Sequence, residues 1–189
     1  MKEKDNFILQ KEKQLAKVDK SSIGGWDPKI KKLCDKINKK KNYYTTSSCA
    51  GRVVLLKYSD IKQEDAFLFR THEKIKFEEL KSSLERILKE YDGVVEFQQT
   101  SCIMHVSCKT LSDSQEIVNQ AKESGWKRSG IMGGKRNMVE LHSTESISFP
   151  IISDGKILVS DEFLKIIVKQ ANEKLERVWE KINRLEKKV

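Results

Sequence analysis

Leu164, Ile167, Val168, Ala171, Leu175, Val178, Trp179, Ile182 and Leu185 recur three or four positions apart, so they fall on one stripe of an α-helix. The pattern predicts a helix from about residue 161 onward. At 1.5 Å rise per residue it spans on the order of 40 Å, long enough to cover a whole sheet or to pair with another subunit. Its Leu and Trp positions read as core rather than as ligand contacts. A chain of 189 residues can bury such a stripe in one domain without disulfides or metals to hold it together.

Asp27-Pro28 reads as an N-cap followed by proline at the first helical position. Ile30, Leu33, Cys34 and Ile37 then mark a helix over residues 28–41, with a shorter helix expected over 7–18 and a loop at Gly24-Gly25. Residues 52–58 and 66–71 are rich in β-branched and aromatic side chains and predict two strands joined by the polar stretch 59–65. Phe77, Leu80, Leu84, Ile87, Leu88 and Tyr91 share a helical face that Asp92-Gly93 closes. Strands follow over 94–98 and 101–108, the second placing Cys102, Met104, Val106 and Cys108 on one side and Ile103, His105 and Ser107 on the other. Ser112 with Gln115 predicts a capping box for a helix carrying Ile117, Val118 and Ala121, stopped by Gly125. Short strands are expected around 126–131, 138–143, 147–152 and 156–159. Irregular alternation with several consecutive strands indicates an α+β fold: a single domain over residues 1–189, with a mixed sheet, flanking helices and the long C-terminal helix.

The chain carries 37 Lys and Arg against 28 Asp and Glu, a formal net of +9. The first 42 residues hold 13 Lys and 6 acidic residues, a net of +7, which concentrates the basic charge before residue 43. Lys29, Lys31, Lys32, Lys36, Lys39, Lys40 and Lys41 suit either a solvated helix face or an anionic polymer held by counterion release. The first residues lack the apolar run of a signal peptide, and no stretch approaches the roughly 18 apolar residues of a membrane span. A soluble, cytoplasmic protein without a membrane association is expected. Cys34, Cys49, Cys102 and Cys108 have no C-x-x-C spacing and are expected to stay reduced.

No pair among His72, His105, His142 and the cysteines has zinc-site spacing, so no metal is expected. There is no G-x-S-x-G elbow. The run from Ser129 through Gly130, Ile131, Met132, Gly133, Gly134 and Lys135 to Arg136 departs from a P-loop at both ends. With Lys127 and Arg128 it suits either a phosphate contact or a plain basic turn.

Tyr43-Tyr44-Thr45-Thr46-Ser47-Ser48-Cys49-Ala50-Gly51-Arg52 is the most unusual stretch. Four consecutive hydroxyls cannot all be buried unpaired, at around 1 to 3 kcal/mol each. They are expected to line a polar loop that binds a ligand or caps its own backbone. Gly51 would allow close approach to the main chain, and Arg52 would grip a carboxylate or phosphate with two hydrogen bonds.

This block, together with Asp19-Lys20-Ser21, Asp27, Ile37-Asn38, Thr71-His72-Glu73, Ile103-Met104-His105-Val106, Ser129-Gly130-Ile131, Val159-Ser160-Asp161 and Ala171-Asn172, resembles the tRNA wybutosine-synthesizing protein 3 family of archaea and eukaryotes over essentially the whole chain. Two positions depart from the family pattern: Ala50 replaces a usual Ser, and Thr100-Ser101-Cys102 replaces a Pro-containing approach to Ile103. The resemblance implies an S-adenosylmethionine-dependent methyltransferase without a Rossmann loop. Its substrate would be N4 of the tricyclic, aminocarboxypropyl-bearing guanosine derivative in the anticodon loop of tRNA-Phe. It further implies cofactor binding by Ser47, Ser48, Gly51 and Arg52, with the carboxylate gripped by Arg52 belonging to cofactor or substrate, and by Asp19 and Ser21, which would otherwise contact the substrate or cap the adjacent helix. His72 or His105, with Cys49, would form the catalytic group, His105 being otherwise a core histidine on its strand. Tyr43 and Tyr44 would stack on the modified base or, for one of them, pack on the sheet. Lys39, Lys40, Lys41, Gly130, Lys135 and Arg136 would contact RNA. An RNA-binding module without chemistry is the competing reading, and monomer and dimer both remain open.

Overall fold

The computed structural model describes residues 6–17, 27–58, 66–133 and 137–189. The Gly24-Gly25 loop, the 59–65 connection and the site candidates Asp19, Ser21, Lys135 and Arg136 lie outside them. The described elements are α1 (Asn6–Leu15), α2 (Pro28–Lys39), β1 (Tyr43–Cys49), β2 (Arg52–Lys57), β3 (Phe67–Thr71), α3 (Phe77–Glu90), β4 (Val95–Thr100), β5 (Ile103–Cys108), α4 (Leu111–Glu123), β6 (Gly130–Ile131), β7 (Asn137–His142), β8 (Ile147–Ser153), β9 (Lys156–Ile157) and α5 (Asp161–Lys188).

The α+β class, the flanking helices and the long C-terminal helix are as expected, but the strands form two sheets rather than one mixed sheet. One runs β1-β5-β7-β6 and the other β3-β2-β4-β8-β9. Every pairing among the described strands is antiparallel, so a doubly wound parallel sheet is excluded. Consecutive strands change sheet three times, at Ala50-Gly51, at Ser101-Cys102 and between His142 of β7 and Ile147 of β8. Gly51 has φ 87°, a left-handed conformation that side chains with a Cβ rarely adopt.

The chain divides into two compact units. The first comprises Met1–Ala50, Cys102–Thr144 and Val178–Val189, the second Gly51–Ser101 and Glu145–Arg177. In the first, Ile30, Leu33 and Ile37 of α2 join Met104 and Val106 of β5, Ile117 and Val118 of α4, Leu141 of β7 and Val178, Ile182 and Leu185 of α5 in one core cluster. Trp126 is fully buried there, and its indole N–H donates to the Lys181 carbonyl of α5 at 3.2 Å. In the second unit the buried side chains include Val53, Leu55, Phe97, Leu80, Leu84, Leu164, Ala171 and Leu175. The Asn172 amide there accepts from Ile75 N–H and donates to Ile75 C=O, both at 2.9 Å. Apart from half-buried Trp179, the α5 stripe is thus buried within its own chain from Leu164 to Leu185. Each fully buried Leu, Ile or Val there contributes about 1.5–3 kcal/mol. Of the two uses that its length allows, the stripe itself serves packing within the chain.

The helix ends show how local chemistry sets the boundaries. Asp27 caps α2 by accepting from Lys29 N–H at 3.1 Å, with Pro28 following. Its second oxygen accepts the Ala50 N–H at 3.1 Å, so this one carboxylate also anchors the chain just beyond β1. Ala50 enters this contact through its main-chain N–H, so the contact needs no side-chain hydroxyl at that position. The capping box of α4 is Thr110 with Asp113, two residues ahead of the expected Ser112 and Gln115. Thr110 Oγ1 accepts from Asp113 N–H at 3.1 Å, and Asp113 Oδ2 accepts from Thr110 N–H at 2.9 Å. A cap must stand outside the helix in extended conformation, and Ser112 is already in the first turn.

All four cysteines are free thiols. Burial pushes the Cys34 thiol up to about 12 and Cys108 up to about 11, each partly offset by a serine hydrogen bond. Both therefore stay protonated and shielded at neutral pH. In the folded protein at about pH 8, Cys34 and Cys108 should resist a maleimide, and both should react once the chain is denatured; peptide mapping reads the difference. Thr110→Ala should lower the unfolding free energy by about 1 kcal/mol, read by denaturant titration.

Candidate active site

The Tyr43–Arg52 block is a strand and not a loop. β1 covers Tyr43 to Cys49 and pairs with β5, and Arg52 opens β2. Its hydroxyls find partners across the strand. Thr45, nearly fully buried, accepts from the Asn38 side-chain amide at 2.9 Å, and its N–H donates to Asn38 Oδ1 at 2.8 Å. Thr46 donates to the His105 carbonyl at 3.4 Å, and Ser48 Oγ accepts from the Cys34 thiol at 3.5 Å. Ser47 Oγ lies 2.8 Å from His105 Nδ1. The expected cost of burying four hydroxyls is avoided because a pleated strand sends alternate side chains to opposite faces.

One irregularity decides which hydroxyl meets the histidine. Tyr43, Tyr44 and Thr45 pair with Cys108, Ser107 and Val106, and then Ser47 pairs with His105, Ser48 with Met104 and Cys49 with Ile103. Thr46 is the extra residue of a β-bulge, a device that re-aims the side chains beyond it. Ser47 and Cys49 consequently share the face of His105, opposite the Met104 and Val106 core face. β7 continues both rows: Glu140 pairs with His105 and His142 with Ile103. The structure therefore gathers Ser47, Cys49 and His105 on one sheet face with Glu140 and His142, two residues that sequence reasoning did not select. Glu140 Oε2 is 3.1 Å from His105 Nε2. Burial holds the His142 imidazole below the ordinary histidine range; Arg128 and His105 act in the same direction and Glu140 opposes. Since only cross-strand register places Glu140 beside His105, no spacing in the sequence signals it.

The remaining candidates are placed as follows. Ser48 faces α2 through its Cys34 contact. Tyr43 and Tyr44 are 6% and 3% exposed, so both rings are packed in, where packing was expected of at most one. The Tyr43 hydroxyl reaches Glu116 Oε2 and the Asp113 carbonyl, each at 3.3 Å, and burial followed by the Glu116 charge raises its pKa. Tyr44 meets Phe7 of α1 with ring centroids 5.2 Å apart. Lys39 and Lys41 are exposed, and Lys40 is half-buried with its ammonium over the Tyr43 ring. Gly130 pairs with Glu140 in the short strand β6. Ser129 before it is buried, donating to the Trp126 carbonyl at 2.7 Å and accepting from His142 N–H at 3.1 Å.

Gly51, Arg52 and His72 belong to the second unit. His72 directly follows β3. The Arg52 guanidinium lies 4.9 Å from the Phe67 ring, and Arg70 approaches the same ring at 5.1 Å. Arg52 Nε is buried with no hydrogen-bond partner among the described residues. Arg70 is a further residue that sequence reasoning missed; the register of β3 against β2 brings it here.

A family model described as Methyltransferase TYW3 matches residues 3–189. A Thermococcus sibiricus protein named tRNA(Phe) 7-((3-amino-3-carboxypropyl)-4-demethylwyosine(37)-N(4))-methyltransferase is 40% identical, over 97% of this chain and 94% of its own length. A tRNA wybutosine-synthesizing protein 3 homolog of Xenopus laevis is 33% identical over 97% of this chain and 73% of its own. Among solved structures, the PH1069 protein of Pyrococcus horikoshii superposes with a TM-score of 0.87 at 33% identity, covering 97% of this chain and 93% of that one. With nearly the full length matched in sequence and in fold, this chain belongs to the TYW3 methyltransferase family.

Proposed function

We propose that this chain is a tRNA methyltransferase of wybutosine-derivative biosynthesis, moving a methyl group from S-adenosylmethionine to N4 of the aminocarboxypropyl-bearing demethylwyosine in the anticodon loop of tRNA-Phe. The observation that carries the reading is the full-length similarity to relatives bearing that enzyme name, at up to 40% identity. Residues 1–189 act as one functional domain, working in the cytoplasm. No described helix is long and apolar enough to cross a membrane.

The residues present suit the cofactor. Arg52 offers a buried Nε without a partner and, with Arg70, presents two guanidinium groups around Phe67. Such planar donors match a carboxylate, and both the cofactor and the substrate's aminocarboxypropyl arm carry one. When bound, S-adenosylmethionine supplies a methyl group made electrophilic by its sulfonium charge. Arg52 and Arg70 would hold a carboxylate and so align the reactants, and alignment contributes several kcal/mol to lowering a barrier. Exposed Lys32, Lys39 and Lys41 on and just after α2, with Lys127 and Arg128 before β6, supply the cations that grip RNA phosphates.

Purified protein should bind S-adenosylmethionine in calorimetric titration; no binding, with or without tRNA, overturns the assignment. Incubation with the cofactor and tRNA-Phe from a strain lacking this enzyme should add one methyl to the tricyclic nucleoside, read by mass spectrometry. Arg52→Ala should weaken binding of cofactor or substrate about tenfold or more while leaving Tm within a few degrees; a large loss of stability marks Arg52 as structural instead. Replacing Lys39 and Lys41 with alanine should reduce the slope of log affinity for tRNA against log salt by about 1 to 2.

A further inference from the structure

The geometry points to a proton relay, Ser47–His105–Glu140, with His105 as the base and Glu140 as the residue that sets its tautomer. The inference rests on the methyltransferase reading above and assigns Ser47 to proton transfer instead of cofactor binding.

Three adjacent strands place these side chains in one row across the sheet. Ser47 of β1 is the cross-strand partner of His105 on β5, and His105 that of Glu140 on β7. Ser47 Oγ to His105 Nδ1 is 2.8 Å, and His105 Nε2 to Glu140 Oε2 is 3.1 Å. An ionised carboxylate only accepts hydrogen bonds. Nε2 must therefore carry the ring proton in neutral His105, which leaves the Nδ1 lone pair to accept from the Ser47 hydroxyl. This is the order of groups that activates a hydroxyl: a base within reach of it, and a third group holding the base.

Two features separate the row from a set of contacts that merely stiffens the sheet. The side chains are open to solvent, His105 at 24% and Glu140 at 37%, with Ser47 exposed at the end of the row. The Thr46 bulge is also what brings Ser47 opposite His105, since an unbroken register would set Thr46 there. A ladder built only for stability would need no such interruption. On the same face, Tyr44 is covered by Phe7 of α1 while Ser47 is left uncovered.

The chemistry needs a group of this kind. The demethyl substrate carries N–H where the product carries N–CH3, so one proton must leave. That proton passes to Ser47 Oγ as Ser47 hands its own hydroxyl proton to His105 Nδ1. The new N–C bond takes the place of the lost N–H bond, and the electron pair of the broken C–S bond stays on the donor sulfur. His105 becomes an imidazolium with its Nε2–H directed at Glu140, which stabilises the charge, and bulk water later accepts the proton. Ser47 and His105 are catalytic residues; Glu140 is a positioning residue that acts through His105.

The test combines spectroscopy of the protein alone with kinetics. In the 15N-histidine-labelled wild type, the neutral His105 ring should show a protonated Nε2 and an unprotonated Nδ1. Glu140→Gln, which keeps shape but can donate to Nε2, should shift His105 toward the Nδ1–H tautomer. It should also lower kcat for tRNA methylation on the order of a hundredfold, with KM within about twofold. Ser47→Ala should lower kcat comparably and leave the Nε2–H tautomer in place. A proton on Nδ1 in the wild type, or a kcat within twofold of wild type in both variants, overturns the relay while the methyltransferase assignment stands. A wild type that neither binds the cofactor nor methylates tRNA-Phe overturns that assignment and the relay together.

Discussion

Strand β5 is bonded along both edges, to β1 on one side and β7 on the other, and this double pairing organises the first unit. Its alternation divides the sheet into two chemistries. Met104, Val106 and Cys108 face the cluster built by α2, α4 and the end of α5, while Ile103 and His105 face away. Because the side-chain period of a strand is two, a slip of one residue would carry His105 into the apolar core and Met104 or Val106 out of it. Burial of the one set therefore holds the other in place. The polar face needs no stabilising force of its own to be well ordered, because the hydrophobic face enforces the register for both.

Polar residues near β1 are used within the fold before any are left for a ligand. Asn38 ties α2 to Thr45 through two close hydrogen bonds, Asp27 ties the start of α2 to Ala50, and Cys34 meets Ser48. A strand rich in Ser and Thr, whose own burial contributes little, is thereby pinned to the helix that precedes it. Ser47 stands apart from these ties, since its bond is to an imidazole and its exposure is high. In the second unit, the Asn172 amide bonded to both backbone groups of Ile75 is the counterpart, a polar tie between α5 and the approach to α3.

Much of this architecture is legible from residue patterns. The α5 stripe, the Asp27-Pro28 start of α2, the two-faced pattern of β5 and the stop of α4 at Gly125 all rest on interactions within a few residues, and each was readable for that reason. The hydroxyl-rich block reads as a loop in sequence because Thr and Ser carry little apolar periodicity, and its partner β5 lies more than fifty residues away. The α4 cap was displaced because two overlapping polar patterns compete, and only backbone conformation shows that Thr110, and not Ser112, stands outside the helix. Of the candidate site residues, Ser47, Cys49 and His105 do share a face, whereas Tyr43 and Tyr44 are packed in. Glu140 and Arg70 carried no local signal at all.

By itself, the sequence determined the fold class, most of the elements, the concentration of basic charge before residue 43 and, through the Thr-Thr-Ser-Ser-Cys block, a family resemblance that the full-length matches bear out. Only the tertiary structure decided which strands pair, that they form two antiparallel sheets, and that a bulge at Thr46 sets Ser47 against His105 with Glu140 on the far side. The division has a physical cause. Periodicity and capping act over one or two turns of chain and are written in neighbouring residues, whereas strand register is chosen by the burial of two distant faces together and exists only once they meet.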